Sequence, residues 1–273
     1  MKIITKIYLA IYQMVEHDGV EHSGYMSFMM LMSIFPFFIF MLAFTNFFGA
    51  SELGEMFIEV ALQNLPPSSI ESIKDQIEGF LSSPPEGLLT LAIFGTLWTA
   101  SSFVECLRTI LNRVYEVRNA PNYILRRLLS MVQFIFISSA ISAAMLMLVI
   151  VPIIVFKVKI LADLIIQYKF LINVTRYGLI FLSLFLTISS LYYIIPNARI
   201  RFREVIPGTL LVMFAWSSSG YFLSKYISYY NQFSIIYGSL GSIIITLIFF
   251  YIINMIFIIG AEFNYLMSKK SKA

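Results

Sequence analysis

Charge, histidine and cysteine are scarce in this sequence, and each shortage excludes a class of protein. Only 12% of the 273 residues are charged and 59% are apolar, whereas a soluble domain has about 25% charged and about 45–50% apolar residues. The single cysteine, Cys106, allows no intrachain disulfide bond and no cysteine-based metal cluster. The two histidines, His17 and His22, lack the acid-and-histidine pattern of a metal site. We therefore expect no bound metal and no cofactor.

Enzyme motifs are missing as well. No glycine-rich phosphate loop precedes a lysine, and no Gly-x-Ser-x-Gly elbow occurs. The formal net charge of +4 would favour nucleic-acid binding only if the basic residues shared one solvated face, but they are scattered between apolar runs. We therefore expect no catalytic residues, no enzymatic activity and no nucleic-acid partner.

Long apolar runs are what the chain has instead. Residues 226–261 form a stretch of 36 residues without a charge, whereas a helix that crosses a bilayer needs about 20 apolar residues. The runs lack the alternation of a membrane barrel strand, so only helices can satisfy their backbone in lipid. The sequence predicts an all-α, polytopic membrane protein with a six-helix bundle over 25–267. The six segments are 25–48, 87–105, 129–156, 174–196, 205–224 and 238–264.

The basic residues predict the orientation of this bundle. Six spans place both termini on one side, and with that side inside the cell it holds 13 of the 19 lysines and arginines. Because loops in the cytoplasm carry an excess of Lys and Arg, we expect a multi-pass protein with cytoplasmic termini. The basic tail 268–273 then lies in the cytoplasm.

Two segments outside the apolar runs are amphipathic. In 1–24, apolar residues recur at helical spacing, which predicts an interfacial helix on the membrane surface. The outer loop 49–86 is strongly acidic, and Pro66-Pro67 divides it into two short amphipathic helices. We expect these helices to form a short cap over the outer mouth of the bundle.

The first and second apolar segments each contain candidate functional residues. Pro36 removes the backbone hydrogen bond to the Met32 carbonyl and bends the helix, and Ser33, one turn earlier, could satisfy the freed carbonyl. This bend is either a packing kink or a hinge. Glu105 is three residues from Arg108 and can pair with it, and either it or Asn112 could instead line a site. These alternatives stay open on sequence alone.

An arginine cluster follows the fourth segment. Arg199, Arg201 and Arg203 lie within five residues of each other, and such clusters attract anionic lipid headgroups. The cluster is either the ordinary positive-inside signal or a group that neutralises a buried acid. It makes anionic headgroups of membrane lipids the expected partners at the inner surface.

The sixth segment carries most of the candidate path-lining residues. Asn254 and Glu262 are eight positions apart, about two helical turns, so they share one face of a helix. An ionisable residue within a membrane segment is costly and is a functional hypothesis by default. Glu262 is either buried in the bundle or at the inner interface. Asn264, Gly238 and Gly241 complete this set of candidates.

Short strings of small and polar residues recur along the chain. They are Ser33-x-x-Pro36, Trp98 followed by small residues, Leu111-Asn112-x-x-Tyr115, the arginine loop leading to Pro207-Gly208, Tyr237-Gly238-Ser239-Leu240-Gly241, and Gly260-Ala261-Glu262-Phe263-Asn264. In order and spacing they resemble the YihY/BrkB family of bacterial inner-membrane proteins, over nearly the whole chain. The resemblance implies six helices in the inner membrane with cytoplasmic termini.

The resemblance also bears on function. The family has carried the labels ribonuclease BN and virulence factor, and a role in moving lipids or envelope precursors is implied for it. The leading hypothesis is therefore a transport-type membrane protein. The alternatives are a structural or regulatory protein whose acidic cap binds an envelope partner, and a ribonuclease, which we do not expect because a nuclease needs reactive groups in a solvated site. An envelope partner or a homo-oligomer fits the sequence equally.

Overall fold

Helices make up all the regular structure in the part of the chain that can be described. A computed structural model of the chain describes residues 3–47, 86–117, 122–157, 169–229 and 239–269. These residues form seven α-helices and no strand, which confirms the predicted all-α class. The helices are α1 Ile3–Glu16, α2 Gly19–Phe47, α3 Glu86–Val114, α4 Tyr123–Lys157, α5 Lys169–Ile194, α6 Phe202–Tyr229 and α7 Ser239–Lys269. The predicted outer cap at 49–86 lies almost wholly outside the described residues.

Four stretches of these helices are long and apolar enough to cross a membrane. They are Tyr123–Ile141, Tyr177–Ile194, Phe202–Leu223 and Ile243–Ser268. Large apolar side chains such as Phe214 and Phe136 are exposed on them, as lipid contact requires. The four stretches overlap the last four predicted segments. The other two segments lie within α2 and α3, and their crossing of the membrane stays a prediction.

Two units can be separated by their internal packing. The first contains residues 1–36, 83–134 and 188–273, and the second contains 37–82 and 135–187. In the first unit, α7 is the central helix and packs most extensively against α6, then α1, then α3. The second unit contains the remaining parts of α2, α4 and α5.

Two helices of the first unit end at residues with positive φ. Asp18, with φ 56°, separates α1 from α2, and Glu116, with φ 52°, follows α3. After α3, Val117 N–H donates to the Asn112 carbonyl at 2.8 Å and Glu116 N–H to the Arg113 carbonyl at 3.0 Å, the bond pair of a Schellman end. These two tight turns set the positions of the side chains described below.

Helices α6 and α7 cross closely at two glycines. A Cβ on Gly208 would lie 2.2 Å from the Gly260 carbonyl oxygen, and one on Gly260 would lie 2.5 Å from the Tyr192 hydroxyl. Only residues without a side chain fit at this crossing. Tyr192 also stacks on Phe257 with ring centroids 4.5 Å apart and donates to the Phe257 carbonyl at 2.6 Å. The crossing therefore joins α5, α6 and α7 around one buried point.

Candidate functional site

A buried acid on the central helix faces a histidine from the start of the chain. Glu262 has a side chain that is 0% exposed, and its Oε1 lies 2.6 Å from Nδ1 of His17, which is 25% exposed. The two residues are 245 positions apart. The acid is therefore buried within the protein, and its observed partner is a histidine rather than the arginine cluster that sequence reasoning considered; its depth in the membrane stays a prediction.

The turn between α1 and α2 holds His17 in place. Arg113 on α3 donates to the Asp18 carboxylate at 2.5 Å and to the His17 carbonyl at 3.0 Å. The His22 ring bonds the Asp18 carbonyl at 2.8 Å. Side chains from α2 and α3 thus fix the backbone of this turn, so the imidazole of His17 is held in a defined position against α7.

Helix α1 packs on α7 through a single narrow face of α1. Lys6, Ala10 and Met14 are buried there, while large apolar residues such as Ile4 and Tyr8 are exposed. The Lys6 ammonium donates to the Leu266 carbonyl at 3.0 Å. A cation near the C-terminus of a helix is favourable because the carbonyl ends there carry partial negative charge. The predicted amphipathic helix is present, and its place on a membrane surface stays a prediction.

A polar cavity of about 300 Å³ lies in the first unit, beside the ends of α3 and α7. Tyr115, Asn197, Arg199, Glu204 and Asn264 are among its lining residues. Two of the predicted candidates, Asn264 and Arg199, therefore meet at one cavity. The cavity brings one cation, one carboxylate and several neutral hydrogen-bonding groups together.

Asn264 and Tyr115 are two of the residues that line this cavity. Asn264 Oδ1 accepts from Gly208 N–H at 2.6 Å, whereas Asn264 Nδ2 and the Tyr115 hydroxyl are both buried and the two side chains interact with each other. Burial raises the pKa of the Tyr115 hydroxyl above its ordinary value, against a smaller opposing effect of the Asn264 side chain. Tyr115 therefore stays a neutral O–H donor at ordinary pH.

Asn254 lies higher on the same face of α7, as its spacing from Glu262 predicts. Both side chains are buried. Asn254 Nδ2 donates to Ser27 Oγ at 3.3 Å, and the Ser27 hydroxyl donates to the Ser23 carbonyl at 2.5 Å. Ser23 in turn bonds the Gly19 carbonyl at 2.6 Å. A line of buried polar groups therefore runs along α2 and α7, on the N-terminal side of Glu262 along α7.

A separate ion network joins α3 to α4. The predicted pairing of Glu105 with Arg108 is present at 3.3 Å, and Arg126 on α4 lies 3.4 Å from the other carboxylate oxygen. Ser130 donates to Glu105 at 2.8 Å, and Arg108 donates to Ser130 and Gln133. Glu105 therefore acts as the centre of a helix-to-helix contact.

Asn112, the other candidate on α3, fixes a loop. Its Nδ2 donates to Asn197 Oδ1 at 3.1 Å, and its Oδ1 accepts from Asn197 N–H at 2.7 Å. Asn197 lines the cavity. Asn112 thus positions Asn197, a residue of the cavity wall, and does not line the cavity itself.

The remaining candidates are more dispersed. Ser33 donates to the Met30 carbonyl at 2.9 Å, so the expectation that it satisfies the Met32 carbonyl near Pro36 is wrong, because a helical hydroxyl reaches back three or four residues. Position 36 lies within the continuous helix α2. Gly241 is buried, and Gly238 lies outside the described residues.

The arginine cluster is divided by the structure. Arg199, Arg201 and Arg203 are all exposed, and of the three Arg199 lines the cavity. Arg201 directly precedes α6 and caps its first turn, since the Arg201 N–H donates to the Glu204 carboxylate at 3.1 Å and the Glu204 N–H donates to the Arg201 carbonyl at 2.8 Å.

Sequence reasoning missed His17, Tyr115 and Asn197. Each lies in a turn or loop after a helix, and their contacts join distant parts of the chain, so local spacing carries no signal for them. Within the described ranges, no three His, Cys, Asp or Glu side chains gather in a way that could hold a metal ion.

Comparison with known proteins gives consistent matches over nearly the whole length. The family described as virulence factor BrkB matches residues 10–273. YfkH of Bacillus subtilis, named as ribonuclease-like, is 30% identical over 260 residues, which cover 94% of this chain and 92% of YfkH. A UPF0761 membrane protein of Aliivibrio salmonicida is 25% identical over 282 residues, covering 96% and 83%. Another from Pseudoalteromonas translucida is 24% identical over 267 residues, covering 94% and 84%. No solved structure matches the chain.

Proposed function

The chain belongs to the virulence factor BrkB family of integral membrane proteins, and we propose that it moves lipids or envelope precursors across the bacterial inner membrane. In this proposal six helices cross the membrane and both termini lie in the cytoplasm. The cargo is held by its anionic headgroup, while its apolar chains stay in the lipid.

The polar cavity beside α3 and α7 is the observation that supports this proposal. Its volume of about 300 Å³ is at the lower end of ligand pockets, which measure about 300–1,000 Å³. A phosphate-bearing headgroup fits such a volume, whereas two acyl chains do not. The helices around it expose large apolar side chains, which suits a cargo that is polar at one end only.

The lining of the cavity matches a headgroup phosphate. Arg199 can form charge-assisted hydrogen bonds to phosphate oxygens, and the polar side chains of Asn197 and Ser268 line the same cavity. Glu204, on the same wall, can accept from an amine or hydroxyl of the headgroup. Buried Glu262 on α7 acts electrostatically on the hydroxyl of Tyr115, a residue that lines the cavity.

The direct test is lipid movement in reconstituted vesicles. The full-length chain is placed in vesicles of phosphatidylethanolamine and phosphatidylglycerol with a trace of fluorescent phosphatidylglycerol, and an impermeant quencher reports its arrival at the outer leaflet. We expect Arg199→Ala to slow movement about tenfold, because a hydrogen bond to a charged group is worth about 1.5–3 kcal/mol. Glu262→Ala should abolish movement while the protein still accumulates in the membrane.

Arg203 supplies a matched control. It is an exposed arginine of the same loop, outside the cavity lining, so Arg203→Ala should move lipid at the wild-type rate. Equal losses in both arginine variants would mean that general surface charge, rather than the cavity, matters. Full activity of Glu262→Ala would reject the assignment of the site.

The ribonuclease-like name of YfkH does not enter this proposal. We propose that the chain is not a nuclease, and metal-dependent RNA cleavage by the purified protein, lost on a point mutation, would reject that view. An envelope partner for the acidic segment 49–86, or a second copy of the chain, remains a separate prediction. Deletion of residues 52–83 tests it, since loss of function in a folded bundle is then expected.

A further inference from the structure

The contact between Glu262 and His17 is short enough to require a proton between its two atoms. At 2.6 Å between Oε1 and Nδ1, either the imidazole N–H donates to a carboxylate or a neutral carboxyl group donates to the imidazole. The carboxyl side is fully buried and the imidazole side is 25% exposed. One end of this hydrogen bond therefore meets water and the other end does not.

We propose that Glu262 is a proton-binding site that His17 loads from the surrounding water, and that this proton is the ion coupled to lipid movement. The binding site stands on the geometry of the pair. The coupling rests on the proposed function. A carboxyl group in an apolar span is a recurrent element of proton relays in membrane transport.

The surroundings allow Glu262 to exist in both protonation states. Burial opposes the charged form, while the cations of Lys6 and Arg113 lie on elements that pack at this end of α7 and favour it. Other titratable and charged side chains face this region from the packed elements. From the N-terminal side they are Lys6 on α1, His17 and Asp18 in the α1–α2 turn, and His22 on α2. From the other helices they are Arg113 on α3, Tyr115 just after it, Tyr192 on α5 and Glu204 on α6.

The loading step balances in protons and charge. Nε2 of His17, the ring nitrogen that does not contact Glu262, takes a proton from water while the Nδ1 proton passes to Glu262 Oε1. The imidazole ends neutral with its proton on Nε2, the carboxyl group ends neutral, and the water is left as hydroxide. Because the ring nitrogens exchange roles, His17 must turn or exchange a proton before it loads Glu262 again.

Further buried polar groups lie on the same helices beyond this pair. Ser23, Ser27 and Asn254 form the line of buried polar groups between α2 and α7. Asn254 is eight residues from Glu262, which is about 12 Å along a helix. The loaded proton therefore has hydrogen-bonding groups above it inside an otherwise apolar helix.

Infrared difference spectroscopy of the purified full-length protein tests the site without any lipid cargo. A neutral carboxyl group has a carbonyl stretch that a carboxylate lacks, and this band shifts in heavy water. Other acids also gain such a band when the pH is lowered, so the Glu262 band is the component that the wild type shows and Glu262→Gln lacks. Glu21→Gln, which changes an exposed acid four residues after His17, should keep it.

His17 is tested by the rate of exchange. In His17→Ala the Glu262 band should remain but respond to a pH jump about 100-fold more slowly, since a positioned proton-transfer group contributes about 10²–10⁴-fold. Identical wild-type and Glu262→Gln spectra, or wild-type exchange in His17→Ala, would overturn the proposal. His17→Gln provides a second variant if the alanine does not fold.

The two proposals fail separately. A wild-type protein that moves lipid but shows no Glu262 band would reject the proton site alone. A titrating Glu262 in a protein that moves no lipid would reject the transport proposal alone. If both hold, lipid movement should depend on pH in the wild type and lose that dependence in Glu262→Gln.

Discussion

Glu262 illustrates what a sequence can and cannot predict about a single residue. Its place in an apolar helix predicts a functional acid, and its spacing from Asn254 predicts a shared buried face, which is confirmed. The partner His17 is 245 positions away, in a turn fixed by a positive φ at Asp18. Nothing local in the sequence indicates that this turn reaches the last helix.

The glycines at the α6 and α7 crossing support a prediction at the same scale. Gly208→Ala places a Cβ 2.2 Å from a backbone oxygen and 2.6 Å from the Asn264 side chain. Because backbone cannot yield easily, we expect a loss of about 1–3 kcal/mol in stability, seen as a lower midpoint of thermal unfolding in detergent.

Gly220 on the same helix is the control for this substitution. An added Cβ there meets nothing within 4 Å, and alanine is favoured over glycine in a helix by about 1 kcal/mol. Gly220→Ala should therefore keep or slightly raise the midpoint. Equal midpoints for the two variants would show that the crossing is less tight than the distances indicate.

At the scale of helices, the sequence predicts the ion pair between Glu105 and Arg108 within α3, but it does not predict the contacts of this pair with α4. Glu105 and Arg108 are three apart, and this spacing alone predicts their contact. Arg126 and Ser130 join them because α3 and α4 pack side by side, which depends on tertiary structure. The same network explains why Arg108 can be buried while charged.

Glu105 should therefore contribute strongly to the packing of α3 on α4. Glu105→Ala leaves Arg108, whose side chain is 2% exposed, without its counter-charge, and breaking a buried pair costs about 3–5 kcal/mol. Because Glu105 is 14% exposed, we expect about 2–4 kcal/mol, measured as faster thermal inactivation.

A double variant separates loss of charge balance from loss of packing. Glu105→Ala with Arg108→Met removes both charges and should recover much of the lost stability, because no buried charge remains. Arg126→Ala, which removes a partner whose side chain is 26% exposed, should cost less than Glu105→Ala. A double variant that is less stable than the sum of its parts would contradict this account.

At the scale of the whole molecule, composition predicts the membrane class and the helical fold, because helices satisfy their own backbone hydrogen bonds in lipid. The number of spans is a separate question: four stretches qualify among the described residues, whereas six apolar segments of span length in the sequence predict six. Helices α2 and α3 hold the two segments on which the difference depends.

Reporter fusions along the chain can distinguish six spans from four. With six, the acidic segment 49–86 lies outside the cell, whereas with four it shares the side of both termini; the later loops lie on the same sides in either case. We expect alkaline phosphatase fused after residue 60 to be active and a fluorescent protein fused there to be dark, because only the former folds outside the cytoplasm. Fusions at the C-terminus should give the reverse result and serve as the control. A bright fluorescent fusion after residue 60 would show that α2 and α3 do not cross, and the basic residues would then mark a four-span protein.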